Sequence, residues 1–408
     1  MSLREDANFI IEKSLAAVLP DAAVKKALRD FDGESVYVVA VGKAAWQMAS
    51  VAGQVLGGRV RDGVVITKYG HVMGDIPGMT CYEAGHPVVD ESSISAAKAA
   101  VSMVSGLSEK DTVLLLISGG GSALFELPLI ELSELQDISK QLLACGADIV
   151  EINTLRKRLS AVKGGRFGKL CEPAKVFSIV LSDIIGSPLS MIASGPACVD
   201  ASSCKDALEI VEKYNLKLSE AALAALRAEL PKELPNVETR ITGSVSELCL
   251  AAAAAAVELG YEPLLLTDCM DCEAKEAGFL LGSIGRSNAA SGRKLAYIAG
   301  GETVVKLCED PGLGGRNQEL ALAAADRISG CKNVCVFSLG SDGTDGPTDA
   351  AGGIVLGSSR ARLSQKGIEI DEVLQRNDAY NALKAIDGLI ITGPTGTNVN
   401  DVSVVLIG

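Results

Sequence analysis

The amino-acid sequence predicts an α/β protein made of two domains, each a largely parallel, Rossmann-like sheet flanked by helices. Short apolar runs rich in Val and Ile alternate with longer Ala-rich amphipathic stretches, as expected when helices cover both faces of parallel strands. The length of 408 residues suits about two domains. Glycine clusters directly follow several apolar runs, and ligands bind at that edge of open α/β sheets.

The elements follow from these runs in chain order. The predicted strands are 35–41, 63–67, 112–117, 175–181, 262–267, 295–299, 334–339 and 388–392. The predicted helices between them include 43–56, 92–104, 246–259 and 316–325. Segment 230–238 is polar and contains two prolines, so it marks a boundary between domains 1–235 and 236–408. The last strand either stays in the second domain or returns to the first.

Charge and composition exclude several classes of protein. The chain has 51 acidic and 38 basic residues and a net charge of -13, which disfavours nucleic acids and anionic membranes as partners. Its apolar runs are far shorter than the ~20 residues of a membrane span. The N-terminus lacks a secretion signal and the 11 cysteines lack framework spacing, which predicts a cytoplasmic protein. The oligomeric state is left open, a homodimer being one alternative.

Common catalytic fingerprints are missing from the sequence. Neither G-x-x-x-x-G-K-[ST] nor G-x-G-x-x-G occurs, so a Walker A loop and a dinucleotide fingerprint are both absent. The chain also lacks the H-R-D loop of protein kinases and the G-x-S-x-G elbow of hydrolases. Any phosphate site must therefore use other loops.

A triple-glycine loop follows the predicted strand 112–117. It consists of Ser118, Gly119, Gly120, Gly121 and Ser122. Consecutive glycines turn several backbone N–H groups toward one point and let a phosphate approach the main chain. The alternative is a tight turn without a ligand.

Two cations are predicted in the first turns of helices, where the helix dipole disfavours them unless an anion is shared. Lys43 follows strand 35–41 and Arg316 follows Gly314 and Gly315. Arg316 also offers a planar, two-pronged contact to a carboxylate or phosphoryl group. For Lys43 the alternative is a solvated surface lysine.

Carboxylates and further cations lie near other strand ends. Asp183 follows strand 175–181 and is predicted to hold magnesium or act as an acid, with helix capping as the alternative. Asp342 lies among glycines after strand 334–339, which favours a general base or a magnesium site over a simple turn cluster. A basic run suits either an anionic ligand or a solvated helix face; its members are Arg156, Lys157, Arg158, Lys163 and Arg166.

From about Val41 onward the chain resembles the glycerate 2-kinase family, whose C-terminal part is called the MOFRL domain. The motifs that carry the resemblance are VGKAA, AGHPVVDESS, LISGGGSALFELP, INTLRKRLSAVKGGR, SDIIGSPLSMIASGP, GGRNQELALAAA, SLGSDGTDGPTDAAGG and TGPTGTNVNDV. The resemblance implies transfer of the ATP γ-phosphoryl group to the 2-hydroxyl of D-glycerate, with magnesium, in a cleft between the two domains.

The same resemblance assigns roles to particular residues. Lys43, Arg316 and Asp342 are implied to be catalytic, and Asn398 and the triple-glycine loop to bind the nucleotide. The chain has Ser187 where the family motif leads us to expect an acid, which puts more weight on Asp183 as the magnesium ligand. Two alternatives remain: an NAD(P)H-dependent hydroxypyruvate reductase, and a non-catalytic protein that binds an anionic metabolite.

Overall fold

The computed structural model describes residues 2–182, 184, 186 and 188–408, and these divide into two compact units. Unit I is Ala23–Thr242; unit II combines Gly243–Gly408 with residues 2–22. The predicted division differs from this one in two respects. Strand 237–243 lies beside strand 175–181 of the first sheet, which moves the boundary past residue 236. Residues 2–22 belong to unit II.

The strands and helices alternate along most of the chain. The strands are β1 (Ser35–Val41), β2 (Val60–Lys68), β3 (Thr80–Ala84), β4 (Asp111–Ile117), β5 (Lys175–Leu181), β6 (Val237–Gly243), β7 (Glu262–Met270), β8 (Leu295–Gly301), β9 (Val334–Gly340), β10 (Gly352–Leu356), β11 (Leu389–Ile390) and β12 (Asp401–Ile407). The helices are α1 (Leu3–Val18), α2 (Pro20–Ala27), α3 (Ala45–Leu56), α4 (Glu91–Val104), α5 (Gly121–Leu124), α6 (Leu132–Ala144), α7 (Ile149–Arg158), α8 (Arg166–Leu170), α9 (Cys204–Lys213), α10 (Glu220–Arg227), α11 (Val245–Glu258), α12 (Ala274–Asn288), α13 (Arg316–Arg327), α14 (Ser359–Ser364), α15 (Ile370–Gln375) and α16 (Ala379–Ala385).

The sheet of unit I has the strand order β3-β2-β1-β4-β5-β6, and its pairs from β3 through β5 are parallel. Alternate residues of β1 pack into separate apolar clusters, with Val39 in one and Val38 in the other, so both faces are buried. The order reverses between β1 and β4. The loops after these two strands therefore flank the crevice in which such sheets bind ligands.

The sheet of unit II has the order β11-β10-β9-β12-β8-β7 and is mixed. Strand β12 runs antiparallel to β8 and β9, and β10 runs antiparallel to β9 and β11, whereas β7 and β8 are parallel. Four strands thus share one direction and two oppose it. The α/β class is confirmed, but the alternative in which the last strand returns to the first domain is wrong, because β12 is buried along its whole length between β8 and β9.

Helix α1 is part of unit II because its apolar face packs on α11. Ile10 and Ile11 share one apolar cluster with Leu248 of α11, and the Tyr261 hydroxyl donates to Asp6 at 2.7 Å. A capping box at Ser2 fixes the start of the helix. No helix in the described part of the chain combines the length and the apolar character that crossing a membrane requires.

Candidate functional site

The loops after β1 and β4 of unit I are bonded to each other through their backbones. The Lys43 amide donates to the Gly119 carbonyl at 2.9 Å, and the Ser118 amide donates to Val41 at 2.9 Å. The Ser118 hydroxyl also accepts from the Ala44 amide at 3.1 Å. These bonds hold the loop of residues 42–44 and the triple-glycine loop together at the point where the strand order of the sheet reverses.

Glycine is required where these two loops approach. Gly42 has a φ of +123°, and a methyl group there would lie 2.3 Å from the Ser118 hydroxyl oxygen. Gly120 has a φ of +88°, and its added carbon would lie 3.1 Å from the His86 ring. Side chains at either position would strain the backbone and separate the loops.

We expect Gly42→Ala to lower the free energy of unfolding by about 2–5 kcal/mol, through positive-φ strain and the clash with Ser118. Gly57→Ala is the matched control, because Gly57 has a φ of +53° and nothing lies within 4 Å of the added carbon. This control introduces backbone strain without a clash, so it should cost less than Gly42→Ala. Urea unfolding followed by circular dichroism measures both variants; equal losses would show that the approach of the loops contributes nothing.

Lys43 lies outside the helix in which the sequence analysis placed it. Helix α3 begins at Ala45, and the Ala45 amide closes a turn onto the Gly42 carbonyl at 3.1 Å. The Lys43 side chain is exposed, and its ammonium group has no hydrogen-bond or ion-pair partner within the described ranges. Burial, together with the charges of Lys43 and Lys68, lowers the pKa of His86, so that imidazole is neutral near pH 7.

A line of polar side chains continues from the triple-glycine loop, and the sequence analysis missed most of it. The Ser122 hydroxyl lies 3.1 Å from that of Ser194, which donates to Asn153 Oδ1 at 3.0 Å. Ala193 and Ser194 have φ values of 50° and 59°, which non-glycine residues adopt only under local strain. Such strain is typical of functional loops, and it is a property that no sequence pattern reveals.

In unit II the Arg316 guanidinium is held by two carboxylates. Its Nε and one terminal nitrogen donate to the two oxygens of Asp401 at 2.6 and 3.0 Å, and the other terminal nitrogen donates to Glu302 at 2.8 Å. The two-pronged contact expected of this arginine is thus made within the protein. Asp401 is 3% exposed, so the pair is largely shielded from water.

The aspartates after β9 have separate roles. Asp345 is buried and accepts from the Asn317 and Gln318 amides at 3.1 and 2.8 Å, which caps α13; its burial raises its pKa. Asp342 is half-buried and accepts only from the Thr344 amide at 2.9 Å within the described chain. Asp345 therefore fits the structural alternative, whereas Asp342 keeps a carboxylate oxygen for other contacts.

Arg316 and Asp342 line one cavity of about 520 Å³ in unit II, together with Glu319 and Asp345. Asn398 is exposed and does not line it; its side chain accepts from the Asn400 amide at 3.3 Å. The structure thus brings together two of the three residues predicted in unit II.

The predicted magnesium ligand Asp183 falls outside the described residues, as does Ser187. The part of the chain that is described contains no group of three or more His, Cys, Asp or Glu side chains arranged to hold a metal ion.

Activity that depends on the Arg316–Asp401 pair should fall at acid pH. Burial raises the pKa of Asp401 to about 6, although its bond to Arg316 opposes the shift. As the pH drops through this value, Asp401 becomes protonated and releases its hold on the guanidinium. We expect kcat/KM to fall there in the wild type, and this acidic limb to be absent from Asp401→Asn.

The stability of the protein should change in the opposite direction to its activity as the pH falls. Because the folded-state pKa of Asp401 lies above the unfolded value of ~3.9, its contribution to the free energy of unfolding grows as the pH falls between the two values. Urea unfolding and kcat/KM, each measured above and below the interval between these two pKa values, test the expected rise in stability and the expected fall in activity. An unchanged acidic limb in Asp401→Asn would assign the titration to another group.

Two family models match the chain. A domain of unknown function, DUF4147, matches residues 6–227, and the MOFRL family matches residues 295–401. The D-glycerate 2-kinase of Thermotoga maritima is 50% identical, with 100% of this chain and 99% of that protein covered. The glycerate 2-kinase of Pyrococcus horikoshii is 40% identical over 100% and 98%.

Solved structures agree with these matches. The crystal structure of glycerate kinase from Thermotoga maritima has a TM-score of 0.96, 50% identity and coverage of 100% and 99%. A Pyrococcus horikoshii structure has a TM-score of 0.95, 40% identity and the same coverage. A protein of Agrobacterium vitis named as a hydroxypyruvate reductase is 38% identical over 100% of this chain and 95% of its own length. The matching models, relatives and structures show that the chain belongs to the glycerate 2-kinase family, with a C-terminal MOFRL domain.

Proposed function

We propose that this protein is an ATP-dependent kinase that phosphorylates the 2-hydroxyl of D-glycerate to give 2-phosphoglycerate. The observation that carries the proposal is the pair of bonded loops at the reversal point of the sheet in unit I. These loops present glycine amides and Lys43, whose ammonium group has no partner among the described residues. The Thermotoga relative named D-glycerate 2-kinase, alike over the whole chain, supports the choice of substrate.

The triple-glycine loop and Lys43 are proposed to bind the phosphates of ATP. Glycine amides approach phosphate oxygens closely, and the N-terminus of α3 adds a partial positive charge. Its N-cap residue Ala44 has no side-chain oxygen to cap the first turn. Lys43 supplies the mobile point charge that neutralises the transferring group. We also assign the exposed Asn398 to the nucleotide.

Arg316 and Asp342 are proposed to act on the reacting groups. The 2-hydroxyl oxygen of glycerate bonds to the γ-phosphorus, the bond from that phosphorus to the bridging oxygen breaks, and ADP leaves. Asp342 accepts the hydroxyl proton, because one oxygen of its half-buried carboxylate has no partner among the described residues and lies in the cavity that it shares with Arg316. Arg316 stabilises negative charge on the phosphoryl group, held in place by Asp401 and Glu302.

Magnesium and a cytoplasmic location are part of the proposal. Magnesium keeps several waters and is otherwise bound by one or two carboxylates and by phosphate oxygens, so ATP would supply part of the ligands. Asp183 remains the proposed protein ligand on sequence grounds. A cytoplasmic location is proposed because the reaction consumes ATP.

The test is incubation of the purified protein with MgATP and D-glycerate. ADP release gives the rate, and phosphorus NMR resolves 2-phosphoglycerate from 3-phosphoglycerate. A 2-phosphoglycerate signal supports the proposal. ADP without phosphoglycerate would move the search to other hydroxy acids, and binding without ADP would favour a non-catalytic metabolite-binding protein.

A reductase is the second candidate, because relatives that carry that name cover nearly the whole chain. Oxidation of NADH or NADPH in the presence of hydroxypyruvate tests it. We expect none, since the chain has no G-x-G-x-x-G fingerprint.

A further inference from the structure

Five cations lie close together in the sequence of unit I, between residues 156 and 166, and four of them have partners. Lys157 pairs with Asp200, Lys163 pairs with Glu126, Arg158 donates to Ser202, and Arg166 donates to backbone carbonyls. The segment and its two carboxylate partners carry a net positive charge in a chain whose net charge is -13. Such a local excess attracts anions.

Arg156 is the exception within this segment. Its side chain is half-buried, yet it forms no hydrogen bond or ion pair with any residue that the structure describes. Burial lowers the pKa of its guanidinium, and the charge of Glu126 opposes the shift. Arginine nevertheless stays protonated, so a cation has been partly removed from water without a partner. An anionic ligand would supply what the described protein does not.

The position of Arg156 connects it to the triple-glycine loop. Asn153 precedes it by three residues on α7, so the two side chains lie on one face of the helix. Asn153 is bonded to Ser194, and Ser194 to Ser122 of the loop. On the other side, the charge of Glu126, four residues after Ser122, acts on the Arg156 guanidinium.

A second polar group near Arg156, the carboxylate of Glu126, also has incomplete hydrogen bonding. Glu126 is fully buried and bonds to Lys163 through one carboxylate oxygen, while its other oxygen, Oε1, has no partner within the described part of the protein. Because Glu126 is paired with Lys163, this carboxylate does not pair with Arg156.

We propose that Arg156 binds the carboxylate of the acceptor substrate, in a subsite formed with Ser122, Asn153 and Ser194. The inference rests on the proposed kinase function. A guanidinium presents two parallel N–H groups that match a planar carboxylate, whereas glycine amides and a lysine suit the phosphates. The subsite selects short hydroxy acids over neutral polyols, because a neutral acceptor leaves Arg156 without a partner.

The variant Arg156→Gln tests this subsite. Loss of a charge-assisted contact should raise KM for D-glycerate roughly 10- to 100-fold, with KM for ATP changed less than about 2-fold. Arg227→Gln is the matched control, since Arg227 is an exposed arginine of α10 in the same unit. Arg156→Lys keeps the charge without the fork and should give an intermediate KM. Thermal unfolding of each variant identifies any loss of fold.

Discrimination against D-glyceramide separates binding of the carboxylate from a purely structural role. The wild type should prefer D-glycerate over D-glyceramide, and Arg156→Gln should lose most of that preference. A rise in KM for ATP alone, or an unchanged preference, would overturn the proposal. Added guanidinium ion should partly restore glycerate turnover in Arg156→Gln.

Calorimetry keeps this proposal separate from the kinase assignment. D-glycerate binding to the wild type and to Arg156→Gln is measured without nucleotide. A roughly 10- to 100-fold weaker affinity in the variant supports the subsite even if the wild type releases no ADP, in which case only the kinase assignment fails. Equal affinities would reject the subsite even if the wild type is an active kinase.

Discussion

Arg316→Met is expected to lower kcat/KM for the phosphorylation of glycerate by roughly 1,000-fold or more, the range observed when a catalytic arginine is removed from phosphoryl transfer. The guanidinium is fixed by Asp401 and Glu302 and borders the cavity that also contains Asp342. A cation fixed in advance stabilises developing charge without reorganising during the reaction. Initial rates of ADP release over a range of glycerate concentrations measure the effect.

The same substitution has a structural cost that must be separated from catalysis. It leaves Asp401 buried without its partner, and breaking a buried pair costs about 3–5 kcal/mol. The double variant Arg316→Met/Asp401→Asn removes the unpaired charge and should regain much of the stability but not the activity. Arg362→Met, at an exposed site on α14, is the control. Recovery of activity in the double variant would show that Arg316 acts only in folding.

Lys43→Met is expected to lower kcat by roughly 100- to 1,000-fold while leaving stability within about 0.5 kcal/mol of the wild type. The ammonium group has no partner in the described protein, so its removal breaks no native bond. Its absence does leave the charge of the phosphoryl group less neutralised during transfer. Steady-state kinetics and urea unfolding measure the two quantities on the same preparation.

Lys98→Met, at an exposed site on α4, is the control for Lys43→Met. The two catalytic substitutions should therefore differ: removing Arg316 lowers both activity and stability, whereas removing Lys43 lowers activity alone. Near-wild-type turnover in Lys43→Met would remove this lysine from the mechanism. The amides of the triple-glycine loop would then remain as the proposed phosphate contacts.

In the first sheet, the strands that the sequence predicts best are the central ones. Segments 35–41 and 175–181 coincide with β1 and β5, because strands buried on both faces are apolar at nearly every position. The predicted strands omit β10 and β12 of the second sheet, although both are buried along nearly their whole length. They also omit β3 and β6, which lie at the edges of the first sheet. Their sequences, TCYEA and VETRITG, are partly exposed and polar, so backbone pairing rather than apolar burial defines them.

The parts of the site that were predictable from the sequence are those where the backbone conformation requires glycine. Gly42 and Gly120 stand out because only glycine adopts their conformations at so close an approach. The partners of Arg316 were not predictable, since Asp401 follows it by 85 residues and reaches it only through the position of β12. The one available signal was an acid at the first position of an otherwise mostly apolar strand.

The division of unit II along the chain affects the order in which the protein is made. Helix α1 leaves the ribosome before all of Ala23–Thr242, whereas its packing partner α11 follows that segment. At about 5–20 residues per second, the apolar face of α1 waits at least ten seconds for its partner. Unit I is synthesised within that interval, so the nascent chain carries the whole of unit I together with an uncovered amphipathic helix. Chaperones that bind exposed apolar helices thus have a defined target, and shortening that interval by circular permutation should raise the yield of folded protein.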